Sequence, residues 1–502
     1  MAPPGIPIKP AISPLRTPRP RRKIDWIQIA EFAFLALLFA LGFLVRLWPI
    51  WKVHWWDEAV YLQNAAYLCC GKHNYSEFSS RPPLLSLIYA GVFLLWNSQY
   101  AASVLTAALN AAGALFLYWA GRLLHGRSAA VIASLLFGFS PFLVYWGNAL
   151  VTDCPALTLT VLAFCFVLKA AAAPDNLLWP ALAGLVTGLA GLMRFPASIM
   201  VLIFPLYLLR EGKIFKRLAL FALVLCLVFG PYLLWSWLAY GSLMSTLRTA
   251  ISNVGGSVES NRYYLQNFGE VFPWVTVGGV ALWLVAWLRD SLVTWGREGE
   301  EFVLRIGKRA TAPRLASDAI LWGWAALVLL YFSNIPHKEL RYILPLAVPL
   351  FLLAGRGLAV LARARTLQSR AVGMTILALA LGYSFAPLRQ RFSMPLVSPF
   401  ISEEKDAADY INQHANPAGW LYANFNYPVF GYYTHLKLDL LREQDMSFYA
   451  AFPENMPEDG YLILYKQVPK EPAVAWADAS PHFRRMKDFS SLVIYEYRRA
   501  GF

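Results

Sequence analysis

Charge is scarce in this chain. Of its 502 residues only 15% are charged, whereas 58% are hydrophobic. That shortage argues against a string of soluble domains. Cysteine is rarer still: the five present show no metal-ligand spacing, and none lies beyond position 226, so the C-terminal region is no disulfide scaffold. Cys154, Cys165 and Cys226 lie in or beside apolar runs. The neighbours Cys69 and Cys70 are expected in an early loop, as buried or free thiols rather than a strained vicinal disulfide. The first apolar run lacks a small-residue cleavage site and is too long for a signal-peptide core, which leaves an uncleaved transmembrane helix. No internal repeat is evident, which weighs against a transporter or lipid flippase built from inverted halves.

What is present is a series of apolar stretches near the roughly 20 residues that a bilayer crossing needs. The sequence therefore reads as a polytopic α-helical membrane protein. Its formal charge of +14 sits in the loops between those stretches. That is the positive-inside pattern of cytoplasmic loops, not a nucleic-acid footprint. Residues 1–23, Pro-rich and basic, predict a disordered cytoplasmic tail. The first crossing then runs outward from Trp26 to about Ile50.

Residues 82–97 are too close to the next apolar run for both to cross without placing Arg122 and Arg127 outside. Read as a helix lying in the outer interface, they leave every later loop obeying the charge rule. The remaining crossings fall at about 99–121, 128–147, 154–171, 178–193, Pro196 to Arg210, 218–240, 271–288, 317–334, 342–361 and 371–387. Eleven crossings leave the C-terminus outside. Residues 24–388 thus form the transmembrane domain, with outer interfacial helices within 51–98. Residues 389–502 read as a small extracytoplasmic α/β domain. In it "SEEKDAADYINQHANPAG" is a helix capped by Ser402, and "WLYANF", "YLILYK" and "SSLVIYEYRR" are strands.

Placed on this topology, the polar residues at membrane boundaries gather on one side. Asp57 and Glu58 follow the first crossing, within "HWWDEAVYLQ"; Arg81 opens "RPPLL"; Asp153 ends "NALVTD"; Arg194 lies in "MRFPAS". "PHKELRYILP" adds His337, Lys338, Glu339, Arg341 and Tyr342. Each has a plainer reading alone: Asp57, Glu58 and Asp153 as helix caps, the arginines as headgroup contacts, Trp55 and Trp56 as interface aromatics. Carboxylates and phosphate-grade cations converging at one membrane face carry more information than any single residue. A sugar on a lipid phosphate would place its anomeric carbon there. Its phosphate leaves well, so the chemistry needs cations for the leaving charge and a carboxylate for the acceptor proton.

"WWDEAVY", "SRPPLLSLIYAGVFLL", "GRLLHG" and "ALVTD", in that order, resemble the motifs of the C-superfamily (GT-C) glycosyltransferases. The likeness is to the branch of protein O-mannosyltransferases and lipid A aminoarabinose transferases. "HKELRYILPLAVPL" is similar to the late Arg-Tyr-x-x-Pro signature of related polyprenyl-phosphate-sugar enzymes. The resemblance covers roughly residues 25–390. It implies an inverting transfer from a polyprenyl- or dolichyl-phosphate sugar to a lipid, glycan or protein acceptor at the extracytoplasmic or lumenal face. The membrane would be the plasma membrane of a bacterium or archaeon. On this resemblance Asp57 is the base, Glu58 its neighbour and Asp153 a second acid. Arg81, Arg194, Lys338 and Arg341 would face the donor phosphate. Arg81 and Arg194 stand where relatives often carry lysine, which changes the geometry of the phosphate grip. No organic cofactor is expected, and a divalent metal is left open, since His337 and Glu339 could be ligands or loop polars.

Overall fold

The structure, a computed structural model, describes residues 26–50, 56–71, 78–209, 213–252, 259–292, 294–298, 301–305, 312–362, 366–394, 403–417, 419–423, 425–440, 458–466 and 473–502. The basic tail, His54, Trp55, the glycosylation-type triplet Asn-Tyr-Ser at 74–76, the loop cations Lys308 and Arg309, and the cap residue Ser402 lie outside the described residues.

Apolar runs become helices wherever no proline interrupts them. The bundle comprises α1 (Trp26–Leu47), α2 (Trp56–Cys70), α3 (Leu84–Phe93), α4 (Gln99–His125) and α5 (Arg127–Phe139). It continues with α6 (Pro141–Asn148), α7 (Asp153–Ala172), α8 (Leu178–Met193), α9 (Phe204–Leu208) and α10 (Ile214–Tyr240). It closes with α11 (Trp274–Leu292), α12 (Ala312–Ser333), α13 (Ala347–Ala362) and α14 (Leu367–Phe385). Among the described residues six helical segments are long and apolar enough to cross a membrane, or seven if the bent pair α5–α6 counts as one. Phe32, Leu37, Leu227, Leu238, Leu379 and Tyr383 lie exposed on α1, α10 and α14, an apolar surface suited to lipid. Helix α7 is buried along its length at the centre.

Prolines explain where the helices depart from expectation. Pro141 stops α5 and starts α6 with a 52° bend, because proline removes a ladder donor and suits a first turn. The sixth crossing, expected as one α-helix from Pro196, is a 3-10 helix (Phe195–Leu202) followed by the short α9, with Pro196 and Pro205 each stripping an amide donor. The tenth likewise begins as a 3-10 turn, Leu340–Leu346, containing Pro345. The segment after α11 folds into an antiparallel hairpin of β1 (Thr294–Glu298) and β2 (Glu301–Arg305). The reading of Cys69 and Cys70 as loop thiols is corrected. They end α2, and their sulfurs are bonded to each other. Gly71, at φ 71°, breaks the helix just there, so the pair sits where the backbone ladder has run out.

The C-terminal region packs helices on both faces of a five-stranded sheet. Helix α15 (Glu403–His414) precedes β3 (Trp420–Ala423); α16 (Tyr427–Tyr433) and β4 (Lys437–Leu440) follow. Then come β5 (Gly460–Tyr465), α17 (Ala473–Ala479), β6 (Phe483–Asp488) and β7 (Leu492–Tyr497). Strand order is β4-β3-β5-β7-β6, with β3 parallel to both neighbours and β7 antiparallel to both of its own. The two-residue alternation sends Leu462, Leu464, Val493 and Tyr495 to the α17 face. Ile463 and Ile494 go to the face covered by Ile411 of α15 and Phe430 of α16.

Candidate active site

The broken third crossing builds the centre of the site. Helix α5 ends with carbonyls that have no ladder partner, and the buried Arg46 guanidinium donates to those of Phe137 (3.2 Å) and Gly138 (2.8 Å). The half-helix α6 beyond the bend is fixed by Asn110, whose Nδ2 donates to the Gly147 carbonyl at 2.8 Å. Asn148 in turn donates to the carbonyls of Arg46 and Pro49, each at 2.7 Å. This bracing delivers Trp146 and, past residues 149–152, Asp153 in the first turn of α7, where a helix N-terminus favours an anion. Asp57 and Glu58 occupy the equivalent first turn of α2.

Arg341, in the 3-10 turn, is where the carboxylates meet. Its Nη2 donates to Asp57 Oδ2 at 2.9 Å, its Nε lies 2.6 Å from Glu339 Oε2, and its Nη1 lies 3.7 Å from Asp153 Oδ2. Its guanidinium also covers the Trp146 ring, 4.9 Å from the centroid. Arg81 pairs with Asp57 Oδ1 at 2.8 Å, and Arg194 pairs with Asp153 Oδ1 while lying 5.1 Å from the Tyr342 ring centroid. Glu339 accepts from Tyr342 Oη at 3.0 Å and stands 3.2 Å from His337 Nε2. The result is a chain of three guanidiniums (Arg81, Arg194, Arg341) and three carboxylates (Asp57, Asp153, Glu339), each arginine bound to at least one acid. Asp153 is the deepest, its side chain 2% exposed.

Two of the expected residues stand apart from this chain. Glu58 is buried and accepts the Leu150 amide at 3.0 Å, tying α2 to the segment before Asp153. Lys338 donates from Nζ to the carbonyls of Ile335 (2.7 Å) and Glu259 (3.0 Å), holding two loop segments together. Trp146, Arg46 and Asn148 belong to the site's framework and were not singled out in the sequence. A lone arginine closing the first apolar run was the available signal for Arg46. Among the described residues no group of three His, Cys, Asp or Glu side chains is placed to hold a metal ion.

The electrostatics follow from this geometry. Burial alone would raise the Asp57 carboxyl, but the guanidiniums of Arg81 and Arg341 outweigh it and hold it at about 2. Glu339 is also pushed up by burial and brought below its ordinary value by Arg341, with help from His337 and Tyr342. Asp153, Arg194 and Arg341 also head a narrow crevice whose remaining walls include Leu157, Ile199, Met200, Val328, Phe332 and Leu344. Its free volume is only about 20 Å³, room for roughly one water molecule, so it marks an apolar seam below the charges rather than an open lipid channel.

A sequence profile of the Alg9-like mannosyltransferase family matches residues 29–429. A search of curated proteins finds no match. Among solved structures the chain is similar to ArnT from Cupriavidus metallidurans bound to undecaprenyl phosphate, at 15% identity, covering 94% of this chain and 97% of that one, with a TM-score of 0.65. It is also similar to an Archaeoglobus fulgidus oligosaccharyltransferase tethered to an acceptor peptide containing the NVT sequon (12% identity, 94% of this chain and 74% of that one, TM-score 0.61). A third likeness is to AglB from Archaeoglobus fulgidus in complex with an inhibitory peptide and a dolichol-phosphate (13%, 88% and 70%, TM-score 0.60). At these identities the likeness is one of fold.

Proposed function

Because the chain belongs to the Alg9-like mannosyltransferase family and is thus a membrane glycosyltransferase of the GT-C superfamily, we propose that it moves a sugar from a polyprenyl- or dolichyl-phosphate donor to an acceptor hydroxyl at the outer or lumenal membrane face. The acceptor is a lipid, glycan or protein. The carrying observation is the chain of three arginines and three carboxylates at the head of an apolar crevice. The polyprenyl phosphates bound to ArnT and AglB support the same donor class here.

In this reaction the bond between the anomeric carbon and the phosphate oxygen breaks, and its electron pair leaves with the phosphate. The acceptor oxygen forms the new bond from the opposite face, with inversion, and its proton passes to Asp57 and then to solvent. Arg194 and Arg341, beside the crevice, and Arg81 neutralise the departing charge. The donor phosphate competes with Asp57 for Arg341 and Arg81. Loosening those pairs raises the basicity of the carboxylate when the substrate is in place. Asp153 keeps Arg194 and Arg341 oriented, and Glu58 fixes α2 to the Leu150 segment.

The eleven-crossing arrangement, with the site and the C-terminal domain outside, is part of this reading. Four shorter apolar segments, Leu178–Met193, Phe195–Leu208, Trp274–Leu288 and Ser317–Ser333, supplement the seven longer ones. The ten residues of α3 span only about 15 Å as a helix, half a hydrocarbon core, which suits an interfacial position. A reporter fused after Phe502 should report the outer side; a cytoplasmic signal would overturn this orientation.

The decisive test is transfer by the purified protein from a panel of defined polyprenyl-phosphate sugars to hydroxyl acceptors. Release of polyprenyl phosphate matched by glycosylated acceptor is expected. Lipid translocation in vesicles without any transfer would sink the enzymatic reading.

A further inference from the structure

The C-terminal domain meets the bundle at the helix that presents Asp57. Val429 of α16 is fully buried in one cluster with Tyr61, Leu62 and Ala65 of α2. Trp56, the residue before Asp57, lies edge-on to Tyr427, with ring centroids 4.6 Å apart. Within this apolar contact Gln63, 1% exposed, donates from Nε2 to the Pro428 carbonyl at 2.6 Å.

From these contacts we infer that the C-terminal domain is a positioning part of the catalytic centre, with Gln63 as the residue that fixes the placement of the Asp57 helix. The inference rests on Asp57 being the base. Helix α2 has only 15 residues, a length at which an isolated helix is marginal, so its position depends on what it packs against. Beneath it, Ser86 of α3 donates to the Tyr61 carbonyl at 3.2 Å. Above it lies α16. Apolar contacts tolerate a small slide or rotation, whereas a buried amide that must reach one carbonyl does not, since a slip leaves both groups unsatisfied. Gln63 stands six residues, roughly 9 Å along the axis, from Asp57. A tilt at one therefore displaces the other, and a misplacement of about 1 Å can cost a hundredfold in rate. The other two partners of Asp57 come from separate segments, Arg81 before α3 and Arg341 in the 3-10 turn. The carboxylate meets both only when α2 is held still.

Gln63→Leu keeps the volume and removes the donor. In the full-length protein kcat should fall about tenfold or more, while the KM for the lipid-linked donor stays within about twofold. The segments that carry the phosphate-facing arginines are not altered by the substitution, so a split between kcat and KM reports displacement of the base rather than general damage. A folded Gln63→Leu protein with normal kcat overturns the inference; so does a parallel loss of kcat, donor affinity and melting temperature. If Gln63→Leu does not accumulate, Val429→Ala in the same contact is read by the same split. Asp57→Asn in the same assay separates the two levels. If that variant keeps its turnover, the base assignment fails and the inference with it; if it is inactive while Gln63→Leu is normal, the positioning role alone fails.

Discussion

Two clusters of buried ion pairs occupy opposite ends of the bundle, and only one has the form of a reaction centre. At the end that carries the candidate site Arg341 is shared among Asp57, Glu339 and Asp153, beside a narrow apolar crevice. At the other end Asp318 of α12 pairs with Arg356, accepts from Trp283 Nε1 at 3.4 Å and lies 3.8 Å from His125 Nε2. There one acid gathers donors from α4, α11 and α13. Below it the helices close up: a Cβ on Gly357 would collide with the Gly279 carbonyl. Both clusters are expensive to leave half-paired. The difference is that the arginines around Asp57 can exchange a carboxylate for a phosphate and keep an anionic partner, freeing the carboxylate to take a proton, whereas Asp318 ties three helices into one arrangement. Burial and pairing alone therefore do not mark a site; three arginines shared among three carboxylates do.

The comparison breaks most sharply at Asp57. Asp57→Asn preserves shape and removes the base, so transfer should fall roughly 10²–10⁴-fold. Donor binding should survive, as measured by retention of a labelled polyprenyl-phosphate sugar. Near-normal turnover would return Asp57 to a helix-capping role. Arg341→Ala comes next. Losing a charge-assisted phosphate contact costs about 1.5–3 kcal/mol, so kcat/KM for the donor should drop roughly tenfold to a hundredfold. If the well-folded variant binds donor normally, the arginine serves the carboxylates and not the substrate.

The opposite cluster should give the reverse outcome. Asp318→Asn leaves Arg356 without its carboxylate and should lower unfolding stability by about 1–3 kcal/mol, read as a lower melting temperature in detergent. The kcat of the folded fraction should change less than twofold. A selective loss of kcat at unchanged stability would mean that the two ends are coupled.

How much of this was legible in the sequence varies with the kind of interaction. The crossings follow local apolar runs, and α8 begins and ends where expected, at residues 178 and 193. The convergence of Asp57, Asp153, Arg81, Arg194 and Arg341 followed from their shared membrane boundary. The 3-10 turns at Pro196 and Pro345 were masked by apolarity, which does not distinguish a 3-10 helix from an α-helix. Lys338 looked like a phosphate ligand because charge is visible in a sequence, while the carbonyls of Glu259 and Ile335 that hold it are a product of loop folding. Helix α16, "YPVFGYY", escaped notice because seven residues with a proline and a glycine carry no helical period. Its importance lies in Gln63, a neutral side chain that only tertiary contact makes significant.

The finest distinction concerns protonation. Asp57 is held at about 2 by Arg81 and Arg341 despite its burial, and Glu339 is likewise lowered. A lowered carboxyl contributes stability that is fully present above its unfolded value, near 3.9 for aspartate, and is lost as pH falls through the folded value. The pairing of Asp57 should therefore leave stability flat above about pH 4 and withdraw its contribution between there and about pH 2. Activity should behave differently. The kcat/KM profile reports the free enzyme, in which Asp57 is already ionised, so its acid limb should lie below about pH 4. The kcat profile reports the substrate complex, in which the phosphate has drawn the arginines away. Its acid limb should then sit higher by about one pH unit or more, because loss of a neighbouring cation raises a carboxyl. The measurement is a pair of pH profiles from one set of initial rates at varied donor. Coincident acid limbs would show that Arg81 and Arg341 stay on Asp57 throughout the reaction, making this cluster as fixed as the one around Asp318.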